Sequence, residues 1–515
     1  MATETDRQLE FPVGTLTLLA DFLRALHEAG IRYCHWKSTP SLPWALAGRT
    51  DLDLLVDRND ADRFALILRQ LGFKPFISHV SRRYPAVEDY LGFDQESGRL
   101  VHLHIYYQLV LGEHYIKNHR LPLERAFLDA STVQQGVRIP PPALELVVLT
   151  LRTLLKYTDT DALKDFLRLG HRGGLPPEAV REVRALQAQT DTDRLRETAT
   201  RNLPGVPADL FVRFGEVVAA DPRNPVALLV LRSQVRRALR PYRRLGAWSA
   251  GFGYLRARLS HSRVLRPFFR RNARSALRRK APLAGGLTVA VLGPDGAGKT
   301  TIANELHDWL GWRLNMRTLY MGSARPSLAT RLLKFVSSAS RAADRSVAAK
   351  VGRPGRGSLL HPLADLAVGL RYLGDARDRA GRATAGRRLA SQGAVVVFDR
   401  YPLDGVRLGE RMVDGARMSE MTANTTRGLL GRLRRREEAI YRRILPPDHV
   451  IMLMVPAEVA LTRKGSKAPE NVAAKGRALE ESDLASDGLS VIRIDAARPI
   501  QEVVSSVKAE LWRRL

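Results

Sequence analysis

Cysteine is all but missing from this 515-residue chain, where Cys34 stands alone. A single thiol excludes an intramolecular disulfide framework and any thiolate metal cluster, and it suits a reducing compartment. The opening "MATETDRQLEF" has neither the basic start nor the apolar stretch of a signal peptide. No run of about 18 apolar residues, the length that crosses a bilayer, occurs anywhere. A soluble cytoplasmic protein is the expectation. Internal repeats at periods of about 20 to 50 residues are also lacking, which argues against a solenoid.

Negative charge is missing locally as well. No acidic residue lies between Asp221 and Asp295, whereas Leu231 to Lys280 carries sixteen Arg or Lys, more than half of the net charge of +29. Such an excess points to an anionic partner: nucleotide phosphates, a membrane surface or nucleic acid. Within residues 231–280 the cations alternate with Trp, Tyr, Phe and Leu, including Leu265, Phe268 and Phe269. That mixture fits an anionic membrane surface better than nucleic acid, for which no recognised fold is present; a solvated linker is the plainer reading. Peripheral membrane association is therefore an open expectation.

What is present divides the chain into four stretches. Residues 1–125 mix helical and strand patterns, residues 126–230 read as a helical extension, residues 231–283 as a basic linker, and residues 284–515 as alternating strands and helices. In the last stretch "LTVAVLG", "AVVVFDR", "HVIMLMV" and "LSVIRID" are short apolar runs separated by helical segments. This predicts an α/β domain with a parallel sheet and helices on both faces, three layers in all.

The first of those strands leads into Gly293-Pro294-Asp295-Gly296-Ala297-Gly298-Lys299-Thr300-Thr301, which fits G-x-x-x-x-G-K-[ST] and opens an amphipathic helix. Glycines let successive amides turn inward at a helix N-terminus, a favourable site for phosphate. Lys299 is expected to reach the β- and γ-phosphates of a nucleotide, and the Thr300 hydroxyl to help hold Mg²⁺. The guanine-selecting sequence Asn-Lys-x-Asp does not occur, so ATP is the expected nucleotide. Asp399 ends a later strand, where ligands of open α/β sheets collect, and is a second Mg²⁺ candidate.

The P-loop with Asp295 at its third position and two threonines after the lysine, followed by a strand ending Asp399-Arg400-Tyr401, resembles thymidylate kinase and its relatives over residues 284–515. The resemblance implies ATP- and Mg²⁺-dependent phosphoryl transfer to a small anionic acceptor, such as a nucleoside monophosphate. It places Asp295 near the transferring phosphate, Asp399 and Arg400 at Mg²⁺ and the acceptor phosphate, and Arg379 and Tyr401 on the acceptor side. It makes Arg463, Lys464 and Lys467 the lid cations. The acceptor side departs from the family: "LYMGSARPS" stands where Glu-Pro-Gly is usual, Leu292 replaces a glutamate, and Asp404 replaces a small hydroxyl residue. A nucleotide-dependent switch or scaffold without small-molecule kinase activity is the alternative.

Near the N-terminus, "GRTDLDLLVD" puts Asp51 and Asp53 on one face of a strand, where two carboxylates can share a divalent cation. With "HWKS" before it and "LGFKPF" after it, this outline resembles the nucleotidyltransferase superfamily, which implies an α+β domain over about 10–110. Lys37-Ser38 replaces that family's Gly-Ser pair. In "VHLHIYYQL", His102 stands at the third carboxylate and His104 matches a family histidine. The expectation is a substrate-binding or vestigial domain, with nucleotidyl transfer as the alternative.

Overall fold

The structure is a computed structural model describing residues 10–79, 83–113, 116–167, 174–246, 248–249, 251–253, 279–350, 360–408, 411–421, 428–464, 469–486 and 488–515. Lys467 and the linker's Leu265, Phe268 and Phe269 lie outside the described residues. The chain divides into two units, 1–276 and 277–515, a division inside the basic segment.

In the first unit, strands β1 (Tyr33–His35), β2 (Leu52–Val56), β3 (Lys74–Ile77), β4 (Val87–Asp94) and β5 (Arg99–Tyr106) form a mixed sheet in the order β1-β2-β5-β4-β3. Only the β2–β5 pair is parallel among these neighbours. Alternation along β2 sends Leu52, Leu54 and Val56 into a core with helices α1 (Thr17–Glu28) and α2 (Ala61–Gln70), where Phe22 meets Phe64 edge-on. Leu55 points the other way, into a core shared with Tyr106 and the helical extension.

That extension begins with α3 (Pro142–Lys156), whose run "ALELVVLTL" is buried all round, as expected of a helix hydrophobic on every side. Packed about it are α4 (Pro177–Gln187), α5 (Thr192–Asn202), α6 (Asp209–Ala220) and α7 (Pro225–Ala238). One face of the sheet therefore belongs to α1 and α2, and the other turns toward the extension.

In the second unit, β6 (Leu287–Leu292), β7 (Met316–Tyr320), β8 (Val395–Asp399), β9 (His449–Met454) and β10 (Ser490–Asp495) form an all-parallel sheet in the order β7-β8-β6-β9-β10. The four apolar runs singled out in the sequence are β6, β8, β9 and β10. β8 is buried along its whole length, the mark of a strand covered on both faces. Helices α8 (Lys299–Gly311) and α10 (His361–Ser391) pack on the sheet, and α9 (Leu328–Lys350) lies along α10. Then come α11 (Gly428–Arg442), α12 (Ala457–Lys464), α13 (Pro469–Glu480) and α14 (Ile500–Arg514). Among the described residues no helix is long and apolar enough to cross a membrane.

Candidate phosphate-binding site

β6 ends at Leu292 and α8 begins at Lys299, so the intervening loop turns at the carboxyl edge of the sheet. Gly296 and Gly298 take left-handed backbone angles, φ 94° and 88°, that most side chains resist. At Gly296 space forbids substitution too, because a Cβ there would lie 2.2 Å from the Ala460 carbonyl oxygen.

Lys299 is buried, and its ammonium donates to the carbonyl oxygens of Gly293 at 2.8 Å and Pro294 at 2.7 Å. Asp295 lies 3.6 Å from it. Burial, and then the nearby Arg400 guanidinium, push the ammonium down to about 8. The Thr300 hydroxyl donates to Asp399 Oδ2 at 2.7 Å. Asp399 is buried, and its Oδ1 has no hydrogen-bond partner among the described residues. An orphaned carboxylate oxygen beside a threonine hydroxyl is a donor set suited to a hard cation such as Mg²⁺.

Arg400 holds a left-handed φ of 72°, uncommon for a side chain of its size. That turn carries its guanidinium to 3.0 Å from Asp295 and 3.7 Å from Asp414. Asp414 in turn lies 3.8 Å from Lys475 of α13. Sequence reasoning missed Asp414 and Lys475, because neither sits in a recognisable motif and tertiary packing alone brings them to the loop.

A cavity of about 570 Å³ opens over the loop, lined by Gly296 to Thr301, Asp295 and Arg400 on one side and by Arg463, Ala496, Ile500 and Val503 on the other. Arg463 donates to the carbonyls of Ala496 at 2.7 Å and Ala497 at 3.1 Å, tying α12 to the loop after β10. Its guanidinium thus forms part of the wall together with these apolar side chains.

Arg379 is buried on α10 and donates to the carbonyls of Met321 at 2.8 Å and Asp414 at 2.7 Å and to the Tyr441 hydroxyl at 2.5 Å. Tyr401 is buried against Phe398, with its hydroxyl donated to Leu445 O at 2.8 Å. Both side chains organise backbone in this state. Beyond Tyr441 lies a second cavity, of about 490 Å³, lined among others by Asp404, Arg407, Arg434, Glu438 and Arg442. The contacts Tyr441–Arg379–Asp414–Arg400–Asp295 connect it to the P-loop.

In the first unit, Asp53, His104 and Asp89 stand abreast on β2, β5 and β4. Asp89 is a third carboxylate that the sequence did not reveal. His104 Nδ1 lies 3.1 Å from Asp53, and His102 lies 2.8 Å from Asp51 and 3.1 Å from Asp89. Burial alone would raise the Asp53 carboxyl, but the Lys37 ammonium at 2.8 Å and His104 hold it well below the usual carboxylate range. Among the described residues no group of three or more His, Cys, Asp and Glu is arranged to hold a metal ion.

Neither a family model nor any curated relative matches the chain. Two solved structures of deoxyadenosine kinase from M.mycoides are similar to it. The one with bound dATP has 14% identity and a TM-score of 0.28, covering 44% of this chain and 98% of that one. The one with products dcmp and a flexible dcdp bound has 16% identity, the same TM-score of 0.28 and the same coverages of 44% and 98%.

Proposed function

We propose that the second unit is a P-loop kinase that transfers the γ-phosphoryl group of ATP to a small anionic acceptor. The observation that carries this reading is the pairing of Thr300 with Asp399 beside a buried Lys299, at the floor of a cavity large enough for a nucleotide. Phosphoryl transfer asks a protein chiefly for positioning and charge neutralisation, and these groups provide both.

The inward-facing loop amides and Lys299 bind the β- and γ-phosphates, the ammonium exchanging its two carbonyl acceptors for phosphate oxygens. Thr300 and Asp399 would hold Mg²⁺, which when bound neutralises charge on the phosphate oxygens. Arg463 and the apolar side chains Ile500 and Val503 bracket the base and ribose. Arg400, held between Asp295 and Asp414, points its charge at the acceptor side.

The acceptor enters from the second cavity, whose arginines and carboxylates suit a ligand carrying both an anionic group and hydroxyls. A nucleoside monophosphate or a related phosphorylated metabolite has that character. The test is product analysis with Mg²⁺ and γ-labelled ATP against nucleoside monophosphates, sugars and sugar phosphates. Label appearing on an acceptor, and lost in Lys299→Ala, supports the kinase. ATP binding without any labelled acceptor would leave a nucleotide switch as the better reading.

A further inference from the structure

One face of α9 is apolar and uncovered. Leu328, Leu332, Phe335 and Val336 recur at the spacing that lines residues up on one side of a helix, and exposed Ala339 and Ala343 continue the row. Leu328 is 79%, Leu332 64% and Phe335 73% exposed. The opposite face fastens the helix to its own unit. There Thr330, Ser337 and Asp344 are buried, and α10 comes so near that a Cβ at Gly374 would lie 2.9 Å from Thr330 Oγ1. His361 of α10 meets Asp344 at 2.9 Å. The outer row therefore contributes nothing to that packing, and a continuous row of large apolar side chains is more than the scattered ones ordinary on a surface.

Charge indicates what covers it. From Leu328 to Lys350 the helix has five cations and one acid, Asp344, which is the buried partner of His361. Lys334 turns inward to Asp375 at 3.4 Å. Arg331, Arg341 and Arg345 are exposed along one flank of the apolar row, and among the described residues none of them has a carboxylate within ion-pair distance. Apolar side chains flanked by free arginines suit a layer that is apolar within and anionic at its surface, because the long stems can lift the guanidiniums to the headgroups. A second copy fits less well. An antiparallel contact about a two-fold axis would set these arginines beside their own counterparts, with no exposed acid on the helix to separate them.

We propose that α9 seats the second unit on an anionic lipid bilayer. Leu328, Leu332, Phe335 and Val336 enter the boundary between headgroups and acyl chains, and Arg331, Arg341 and Arg345 meet lipid phosphates. The helix lies on the membrane and does not span it. This contact uses none of the P-loop residues and none of residues 231–283.

Flotation of the full chain with vesicles at physiological salt tests the contact. The chain should float with phosphatidylcholine vesicles containing phosphatidylglycerol and not with phosphatidylcholine alone. Replacing Arg331, Arg341 and Arg345 by Gln should weaken vesicle binding about 10²-fold, roughly fivefold for each cation lost from an anionic surface. Leu328→Ser with Phe335→Ser should abolish flotation and leave the melting temperature unchanged, since both side chains are exposed. A fluorophore sensitive to polarity, attached at Leu332→Cys while buried Cys34 stays unlabelled, should shift to the blue when anionic vesicles are added. Flotation with the fluorophore still in water would assign binding to another segment and overturn the proposal. So would equal binding to neutral vesicles, or a blue shift without vesicles that grows with protein concentration, the mark of a second copy on this face.

Discussion

The Thr300 hydroxyl donates to Asp399 Oδ2 across 2.7 Å, joining the first turn of α8 to the end of β8. This bond ties the loop to a neighbouring strand and presents two oxygens to one point. Asp399→Asn preserves shape but removes the charge that attracts a divalent ion. The Mg²⁺ concentration for half-maximal ATP turnover should rise at least about tenfold, since a hydrogen-bonded or metal-paired charge is worth roughly 1.5–3 kcal/mol. An unchanged Mg²⁺ titration would remove Asp399 from that role.

Lys299→Ala should lower phosphoryl transfer by about 10²-fold or more, the usual loss when one preorganised charge contact is deleted. A pH effect follows from the same residue. Its ammonium titrates at about 8 in the free protein, depressed by burial and Arg400. Bound phosphate favours the protonated form and raises that value, so nucleotide binding takes up a proton when the pH stands at or just above 8. ATP affinity should therefore fall as pH rises through this range. Calorimetry in buffers of different ionisation enthalpy measures the uptake, and Lys299→Ala should abolish it.

Much of the second unit could be read from its sequence because local signals agreed. Apolar runs marked β6, β8, β9 and β10, and the glycine loop joined a strand to a helix as its residues require. Asp399 was legible because it ends a strand. Asp414 and Lys475 were not, since their only claim on the loop is a tertiary contact with Arg400 and with each other. Asp89 was hidden for a different reason. Its place opposite His104 depends on the β4–β5 register, which one residue of slip would reverse.

Arg379 offers a prediction that separates two roles. Its guanidinium donates to the Met321 and Asp414 carbonyls and to Tyr441, all in the interior. Arg379→Met strands those acceptors, at about 1–3 kcal/mol for each left unsatisfied. The melting temperature of the second unit should drop by several degrees without any ligand, by the scaling of roughly 2–4 °C per kcal/mol for a domain this size. A rise in acceptor KM with no change in melting temperature would show instead that Arg379 acts on the acceptor alone.

Glu145 makes the stability of the first unit depend on pH. It sits in the first turn of α3, buried, and its Oε1 accepts from the Thr39 amide at 2.8 Å. Burial raises the carboxyl from 4.5 to about 7, against the lowering effect of that hydrogen bond. The folded state thus holds the proton more tightly than the unfolded one. The resulting stabilisation is fully present below pH 4.5 and is lost as pH rises through about 7, by an amount on the order of 3 kcal/mol. Glu145→Gln cannot titrate and keeps an acceptor for Thr39, so the stability of the variant relative to the parent should rise as pH goes from 5 to about 7. A variant and parent whose stabilities keep a constant difference over that range would assign the pH dependence to other groups. Because Thr39 follows Lys37 and Ser38, loosening at high pH should reach that segment first, and amide exchange at Thr39 should rise before the core of α3 opens.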